Sequence, residues 1–133
     1  MNAQVVQEKT VPDEAAEIQD TIKSWCDTLE PKPHIVLTSG GTGFGPRDVT
    51  PEAVKPLLER EAPGLIVKIM SDSLKATPMA CLSRPVAGIR GETLIITLPG
   101  KPKAVSENME SIQKVLEHAL LLIRDVPHSH HKN

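Results

Sequence analysis

The feature that most constrains the fold is a glycine-rich segment directly after a short apolar run. Residues 34–38 (HIVLT) are mostly apolar and β-branched and lie between chain breakers, as is typical of a buried parallel strand. Residues 39–45 then read SGGTGFG. Glycines at the carboxyl end of a strand let the backbone approach a ligand closely, and ligands of open α/β sheets bind in that crevice. The pattern predicts a binding loop, with a simple tight turn as the alternative.

The segments around this loop alternate in type, which favours a layered α/β fold. Residues 4–11 are mildly β-prone and predict a short strand before the helix predicted at residues 13–29. Thr50-Pro51-Glu52 is typical of a helix start, with the Thr50 hydroxyl at the N-cap and Pro51 at the first helical position. The later predictions are a helix at 65–74, an antiparallel hairpin of strands 86–89 and 93–98, and a helix at 104–123.

Length and composition restrict the class of protein. A chain of 133 residues allows one domain, so we predict a domain at residues 4–124. A net charge of -2 and only 2% aromatic residues argue against nucleic acid as a partner. No apolar run approaches the ~20 residues of a membrane helix, and no signal peptide is recognisable, so a cytoplasmic location is expected. Cys26 and Cys81 have no CxxC partner, which argues against a zinc site or a redox dithiol.

The end of the chain has no periodic pattern. Residues 125–133 are predicted to form a disordered tail or a linker. Metal binding by the histidines of this tail is the alternative.

The glycine-rich loop also carries polar groups suited to a phosphate. The hydroxyls of Thr38, Ser39 and Thr42 and the cation of Arg47 are donors for an anion, and Asp48 is a carboxylate for Mg²⁺. The loop matches neither the Walker pattern nor GxGxxG. The residues alone therefore indicate an anion site of another type.

The motifs identify a family resemblance. Residues 38–52 (TSGGTGFGPRDVTPE) closely resemble the signature of the MogA/gephyrin G-domain family, the molybdopterin adenylyltransferases. The likeness continues through EREAPG at 59–64, LSRP at 82–85, GIRG at 88–91 and LIITLPG at 94–100, and VPDE at 11–14 matches an earlier motif. It covers roughly residues 5–123 in order.

The resemblance implies a fold and a reaction. The implied fold is a three-layer α/β/α MogA/MoaB-like domain with a mostly parallel sheet. The implied reaction moves AMP from ATP to the terminal phosphate of molybdopterin, in molybdenum cofactor biosynthesis, with Mg²⁺. The family's essential carboxylates fall on Asp13 and Asp48, which are expected to be catalytic and to hold the metal. The alternative roles are an N-cap for Asp13 and a turn or capping residue for Asp48.

The resemblance also implies a substrate site. Ser83 matches a serine of the family's pterin pocket, with a local backbone contact as the alternative. Arg84 and Arg90 can pair with phosphate or remain exposed without a ligand. The expected substrate-binding residues are Thr38, Ser39, Gly40, Gly41, Thr42, Gly43, Arg47, Ser83, Arg84, Pro99 and Gly100.

Three departures from the family pattern affect the expected activity. Thr97 stands where the family usually has asparagine, and a hydroxyl is not expected to make the amide's pair of bonds. Lys101 replaces an asparagine or serine, and either contacts phosphate or is solvated. The family's first strand and helix are missing before residue 4. We therefore expect this chain alone to be poorly stable or weakly active.

Other assignments remain open. The family implies a homotrimer when the fold is complete and a possible molybdenum insertase domain as partner. A catalytically impaired molybdopterin-binding or gephyrin-like scaffold module is the main alternative to an adenylyltransferase. An insertase on the same fold is a further one, and molybdate-dependent release of AMP would favour it.

Overall fold

The computed structural model describes residues 2–126, which form alternating helices and strands. Short 3₁₀ helices at Lys55–Leu57 and Pro78–Leu82 connect the main elements. Of the predicted tail, only Asp125 and Val126 lie within the described residues. In chain order, the main elements are α1 (Ala15–Asp27), β1 (Ile35–Ser39), α2 (Thr50–Val54), β2 (Arg60–Glu61), α3 (Pro63–Ala76), β3 (Ala87–Arg90), β4 (Thr93–Leu98) and α4 (Pro102–Ile123).

The strands form one mixed sheet with the order β1-β4-β3-β2. β1 pairs with β4 in parallel, with Ile35 opposite Leu94 and Ser39 opposite Leu98. β3 is antiparallel to both β4 and β2. Three of the four strands therefore point the same way, which confirms the expected mostly parallel sheet, and the predicted hairpin is β3–β4. Because β1 and β4 are parallel neighbours, the loops that follow them leave the sheet at the same edge.

Helices cover both faces of the sheet, which confirms the three-layer α/β/α architecture. On one face, α1 and the α2 segment pack against Val36 and Ile95. On the other face, α3 and α4 pack against Leu94, Ile96 and Leu98. Successive β4 side chains point to opposite faces, so this strand, buried along its whole length, contributes to both cores.

Two local predictions are wrong. Residues 4–11 are not a strand: they have no paired neighbour in the sheet, and Val5 and Val6 are 80% and 60% exposed. The N-cap of α2 is Val49, one residue before the predicted Thr50, although Pro51 lies in the first turn as expected. Thr50 instead contacts the glycine loop, because its N–H donates to the Gly41 carbonyl at 3.1 Å.

Arg90 has a structural role that the sequence did not predict. Its Nε and Nη2 donate to the two carboxylate oxygens of Asp27 at 3.1 and 2.8 Å, and its Nη1 donates to the Leu57 carbonyl at 3.0 Å. It lies at the carboxyl end of the antiparallel strand β3, the edge opposite the glycine loop. The structure therefore uses Arg90 to tie α1 to the sheet and does not place it for phosphate binding.

We expect this pair to make stability depend on pH. The Arg90 guanidinium, by hydrogen bonding, holds the pKa of Asp27 below its ordinary value. The stabilisation is therefore present above the unfolded pKa of about 4 and is lost as pH falls through the lower folded pKa. Since Asp27 is 46% exposed, solvent screening limits the effect to about 1 kcal/mol or less. Urea unfolding of Asp27→Asn should show lower stability than the wild type at pH 7 and a smaller difference at pH 3. An equal difference at both pH values would contradict this assignment.

Within residues 2–126, no helix is long and apolar enough to cross a membrane.

Candidate functional site

The loops after β1 and β4 meet at the same edge of the sheet and are hydrogen-bonded to each other. The Gly40 N–H donates to the Leu98 carbonyl at 2.9 Å, and the Ser39 hydroxyl donates to the Pro99 carbonyl at 3.0 Å. A Cβ at Gly100 would lie 3.5 Å from the Gly40 Cα. The two loops therefore approach each other closely at the positions where both have glycine.

Gly41 turns the loop back toward α2. Gly40 and Gly41 have φ values of 94° and 73°, in the left-handed region that side chains disfavour. A Cβ on Gly41 would lie 2.2 Å from the Thr50 Oγ1 atom, so the loop and the helix start touch closely. Only glycine fits both the dihedral and the space at this position.

A cavity of about 400 Å³ opens beside these glycines. Its walls are residues 7–13, one side of α1, and β1 with the start of the loop, and they include Asp13, Thr38, Gly40 and Gly41. The Thr38 Oγ1 atom is buried and has no hydrogen-bond partner within residues 2–126. A buried hydroxyl without a partner costs free energy, so a ligand that hydrogen-bonds there would remove that cost. A smaller depression of about 280 Å³, on the α1 surface near Lys9 and Trp25, contains none of the predicted site residues.

Asp13 lies at this cavity without a structural task among the described residues. The N-cap of α1 is Glu14, so the alternative of Asp13 as N-cap is wrong. The Asp13 side chain is exposed and makes no hydrogen bond or ion pair within residues 2–126.

Asp48 lies on the other part of the loop and is partly engaged. The Gly45 N–H donates to its Oδ2 atom at 2.8 Å, and its own N–H donates to the Gly45 carbonyl at 3.0 Å. This bears out the turn alternative, but Asp48 does not cap α2, whose N-cap is Val49. Within the described part of the chain, its Oδ1 atom has no hydrogen-bond partner and can still bind a ligand.

The segment after the second 3₁₀ helix fastens the outer part of the loop. The Arg84 N–H donates to the Thr42 carbonyl at 2.7 Å, and the Thr42 and Ser83 hydroxyls lie 3.4 Å apart. The Arg84 side chain reaches the carbonyls of Gly43 and Asp48 and the carboxylate of Glu52. All three guanidinium nitrogens therefore have protein partners, which favours a role in holding the loop over direct contact with phosphate.

The predicted site residues thus fall into two groups, one that lines or adjoins the cavity and one on the outer part of the loop. Asp48 does not line the cavity that contains Asp13, and Arg47 is exposed. No group of three or more histidine, cysteine or acidic residues within residues 2–126 is placed to hold a metal. The first group is Asp13, Thr38, Ser39, Gly40, Gly41, Pro99 and Gly100, and the second is Thr42, Gly43, Asp48, Ser83 and Arg84.

Thr97, one of the departures from the family pattern, has a structural role in this fold. Its buried hydroxyl accepts from the Val86 N–H at 2.8 Å and lies 3.2 Å from the Val86 carbonyl, to which it can donate. The Thr97 hydroxyl can therefore make one donor bond and one acceptor bond, both with the backbone of Val86. This contact connects β4 to the segment that carries Ser83 and Arg84.

Comparison with known proteins shows the family of this chain. A family model described as a probable molybdopterin binding domain matches residues 1–118. The chain belongs to this family. Its relatives in the molybdopterin-binding domain family include gephyrin of Dictyostelium discoideum, 51% identical over 121 residues that cover 91% of this chain and 16% of gephyrin. The molybdopterin adenylyltransferase of Haemophilus influenzae is 45% identical over 105 residues, 79% of this chain and 52% of that protein.

Solved structures of the molybdopterin-binding domain family share the fold. The crystal structure of the molybdopterin biosynthesis enzyme MoaB from Thermus thermophilus superposes with a TM-score of 0.79 and 48% identity, covering 87% of this chain and 72% of that one. These matches confirm the resemblance read from the motifs. The chain spans about half the length of the bacterial adenylyltransferase and 16% of gephyrin.

Proposed function

We propose that this domain binds molybdopterin and ATP at the cavity beside Gly40 and Gly41 and transfers AMP to the terminal phosphate of molybdopterin. The observation that carries the proposal is the cavity of about 400 Å³ beside Gly40 and Gly41, which is lined by Thr38 and Asp13, two residues whose side chains have no hydrogen-bond partner within residues 2–126. Relatives named molybdopterin adenylyltransferase support the choice of reaction.

The chemistry requires alignment and charge neutralisation more than covalent help from the protein. An oxygen of the molybdopterin phosphate forms a bond to the α-phosphorus of ATP, and the bond from that phosphorus to the pyrophosphate oxygen breaks. The leaving pyrophosphate takes the electron pair. The glycine backbone admits the phosphates closely, Thr38 donates a hydrogen bond to a phosphate oxygen, and Arg47 supplies a nearby cation. Ser83 contacts the pterin from the second group of residues.

Asp13 and Asp48 would hold Mg²⁺ in this proposal. Each offers carboxylate oxygens, the ligands that a hard cation prefers, because Asp13 has no partner within residues 2–126 and Asp48 keeps its Oδ1 atom free there while Gly45 orients Oδ2. Asp48 does not line the cavity that contains Asp13, so a shared Mg²⁺ requires the two carboxylates to approach each other when the ligands bind. A bound Mg²⁺ would neutralise charge on the phosphate oxygens.

The Thr38 hydroxyl gives a test of substrate binding. Thr38→Val removes a hydroxyl that has no partner in the described protein, so the melting temperature should not fall. Loss of a hydrogen bond to a charged phosphate should raise the KM for substrate by about tenfold. Thr93→Val is the matched control: Thr93 Oγ1 donates to the Pro33 carbonyl at 2.8 Å, at the opposite end of the sheet. The control should lower stability and leave KM unchanged. The reverse pattern would refute the role of Thr38.

A second candidate is a molybdopterin-binding module without turnover, as in a scaffold. The 51% identity to gephyrin favours it, because gephyrin is a much longer protein of which this chain covers 16%. The deciding assay supplies purified domain with molybdopterin, ATP and Mg²⁺ and measures pyrophosphate and adenylylated molybdopterin. Formation of both supports the adenylyltransferase, whereas tight binding of molybdopterin without pyrophosphate supports the module.

A further inference from the structure

The glycine loop has few internal contacts and depends on one side chain from a distant segment. The loop sequence SGGTGFGPRDV contains four glycines and one proline, and its turn is closed by the bonds between Gly45 and Asp48. Glycine-rich backbone has high conformational entropy, so a fixed geometry needs contacts from elsewhere. Arg84 supplies them from a position 36 residues beyond Asp48.

Arg84 contacts the loop at several points along its length. Its Nε donates to the Gly43 carbonyl at 2.9 Å and its Nη2 to the Asp48 carbonyl at 2.7 Å. Its Nη1 and Nη2 donate to the two carboxylate oxygens of Glu52 in α2, at 2.5 and 3.3 Å. Its backbone N–H adds the bond to Thr42 at 2.7 Å. A planar guanidinium can serve all these directions at once, whereas a lysine ammonium acts as a single point of charge.

The side chain and the backbone carbonyl of Asp48 are therefore held by different groups. Gly45 orients the carboxylate, and Arg84 holds the carbonyl. The Arg84–Glu52 ion pair is 34% and 58% exposed, so by itself it contributes little to stability. The position of this ion pair instead directs the Nε and Nη2 atoms of Arg84 toward the carbonyls of Gly43 and Asp48.

We infer that Arg84 is a positioning residue, which acts with Glu52 through the backbone of Asp48 to hold that carboxylate where the reaction needs it. The inference rests on the proposed function for its catalytic consequence, but the ordering of the loop can be measured without substrate. Thr97 supports the position of Arg84, because its bonds to Val86 attach the segment that carries Arg84 to β4 and hence to the loop that follows β4.

Arg84→Lys and Glu52→Gln test this inference, with Arg124→Lys as the matched control. Arg124 also donates to backbone carbonyls, those of Lys32, Pro33 and Glu92, and lies near Glu92, but it contacts none of the site residues. Hydrogen exchange of residues 40–50 in the free domain should be about tenfold faster in Arg84→Lys, several-fold faster in Glu52→Gln and unchanged in Arg124→Lys.

The kinetic result should separate positioning from general stability. Arg84→Lys should lower kcat about tenfold and raise the Mg²⁺ concentration for half-maximal rate, and Glu52→Gln should do the same more weakly. Arg124→Lys should lower the melting temperature without either change. Unchanged loop exchange in Arg84→Lys, or faster exchange with an unchanged kcat, overturns the inference. If the wild-type domain lacks adenylylation, the proposed function fails, and the exchange comparison alone decides whether Arg84 and Glu52 hold the loop.

Discussion

Replacing Asp48 with asparagine is expected to lower the rate of molybdopterin adenylylation by about 100-fold or more, the loss that follows when roughly 3 kcal/mol of transition-state stabilisation disappears. The substitution removes the negative charge of the side chain and keeps nearly the same shape. The amide oxygen can still accept the hydrogen bond that Gly45 donates at 2.8 Å, so the turn should remain. A neutral amide is a weak ligand for Mg²⁺ compared with a carboxylate.

Single-turnover measurements with ATP, Mg²⁺ and molybdopterin would give the chemical rate directly. The matched control is Glu110→Gln, which removes one negative charge from an exposed position on α4. That control should keep the wild-type rate and melting temperature. Asp13→Asn should resemble Asp48→Asn, and the double variant should lose little more than either single one if the two carboxylates share a metal. Near-normal turnover by Asp48→Asn would remove this residue from the proposed site.

The second large effect is expected at Gly41, on stability. Gly41→Ala should destabilise the domain by about 3 kcal/mol, the sum of about 1–2 kcal/mol for a left-handed dihedral and about 1–3 kcal/mol for overpacking. Both causes are present: φ is 73°, and the new Cβ would lie 2.2 Å from Thr50 Oγ1 and 3.2 Å from Thr50 Cβ. Relief requires movement of the loop away from α2, so substrate binding should weaken as well.

Thermal and urea unfolding would measure this effect, and Gly64→Ala provides the comparison. Gly64 lies in the first turn of α3, and a Cβ there would meet nothing within 4 Å. Alanine favours helix over glycine by roughly 0.5–1 kcal/mol, so this variant should be as stable as the wild type or more so. Equal stability of Gly41→Ala and the wild type would contradict the tight approach of the loop to Thr50.

The elements that the sequence predicted correctly have strong local signals. α1, α3 and α4 carry apolar residues at the helical period, and the hairpin has two apolar runs around Arg90 and Gly91. The glycine run after β1 predicted a close approach of the backbone, which the structure shows between Gly41 and Thr50. These features depend on neighbouring residues and are therefore readable along the chain.

The predictions that were wrong or left open concern features that depend on partners distant in sequence. Residues 4–11 have β-prone composition, but a strand needs a neighbour to pair with, and β1 pairs only with β4 in the described sheet. Arg84 and Arg90 belong to similar short motifs, and the sequence left open for both whether they pair with phosphate or remain exposed without a ligand. The antiparallel direction of β3 takes Arg90 to the opposite edge, where Asp27 binds it, while Arg84 stays beside the loop.

The amino-acid order alone thus determined the class of fold, the glycine loop and the family, because hydrophobic period, backbone freedom and motif are properties of contiguous residues. Only the tertiary structure decided which charges are available to a ligand. Among residues 2–126, Asp13 has no partner because Glu14 is the N-cap of α1, and Asp48 has one carboxylate oxygen bound by Gly45. Arg84 is occupied by two carbonyls and by Glu52. These outcomes follow from hydrogen bonds between segments that meet only when the sheet has formed, and no spacing along the chain encodes them.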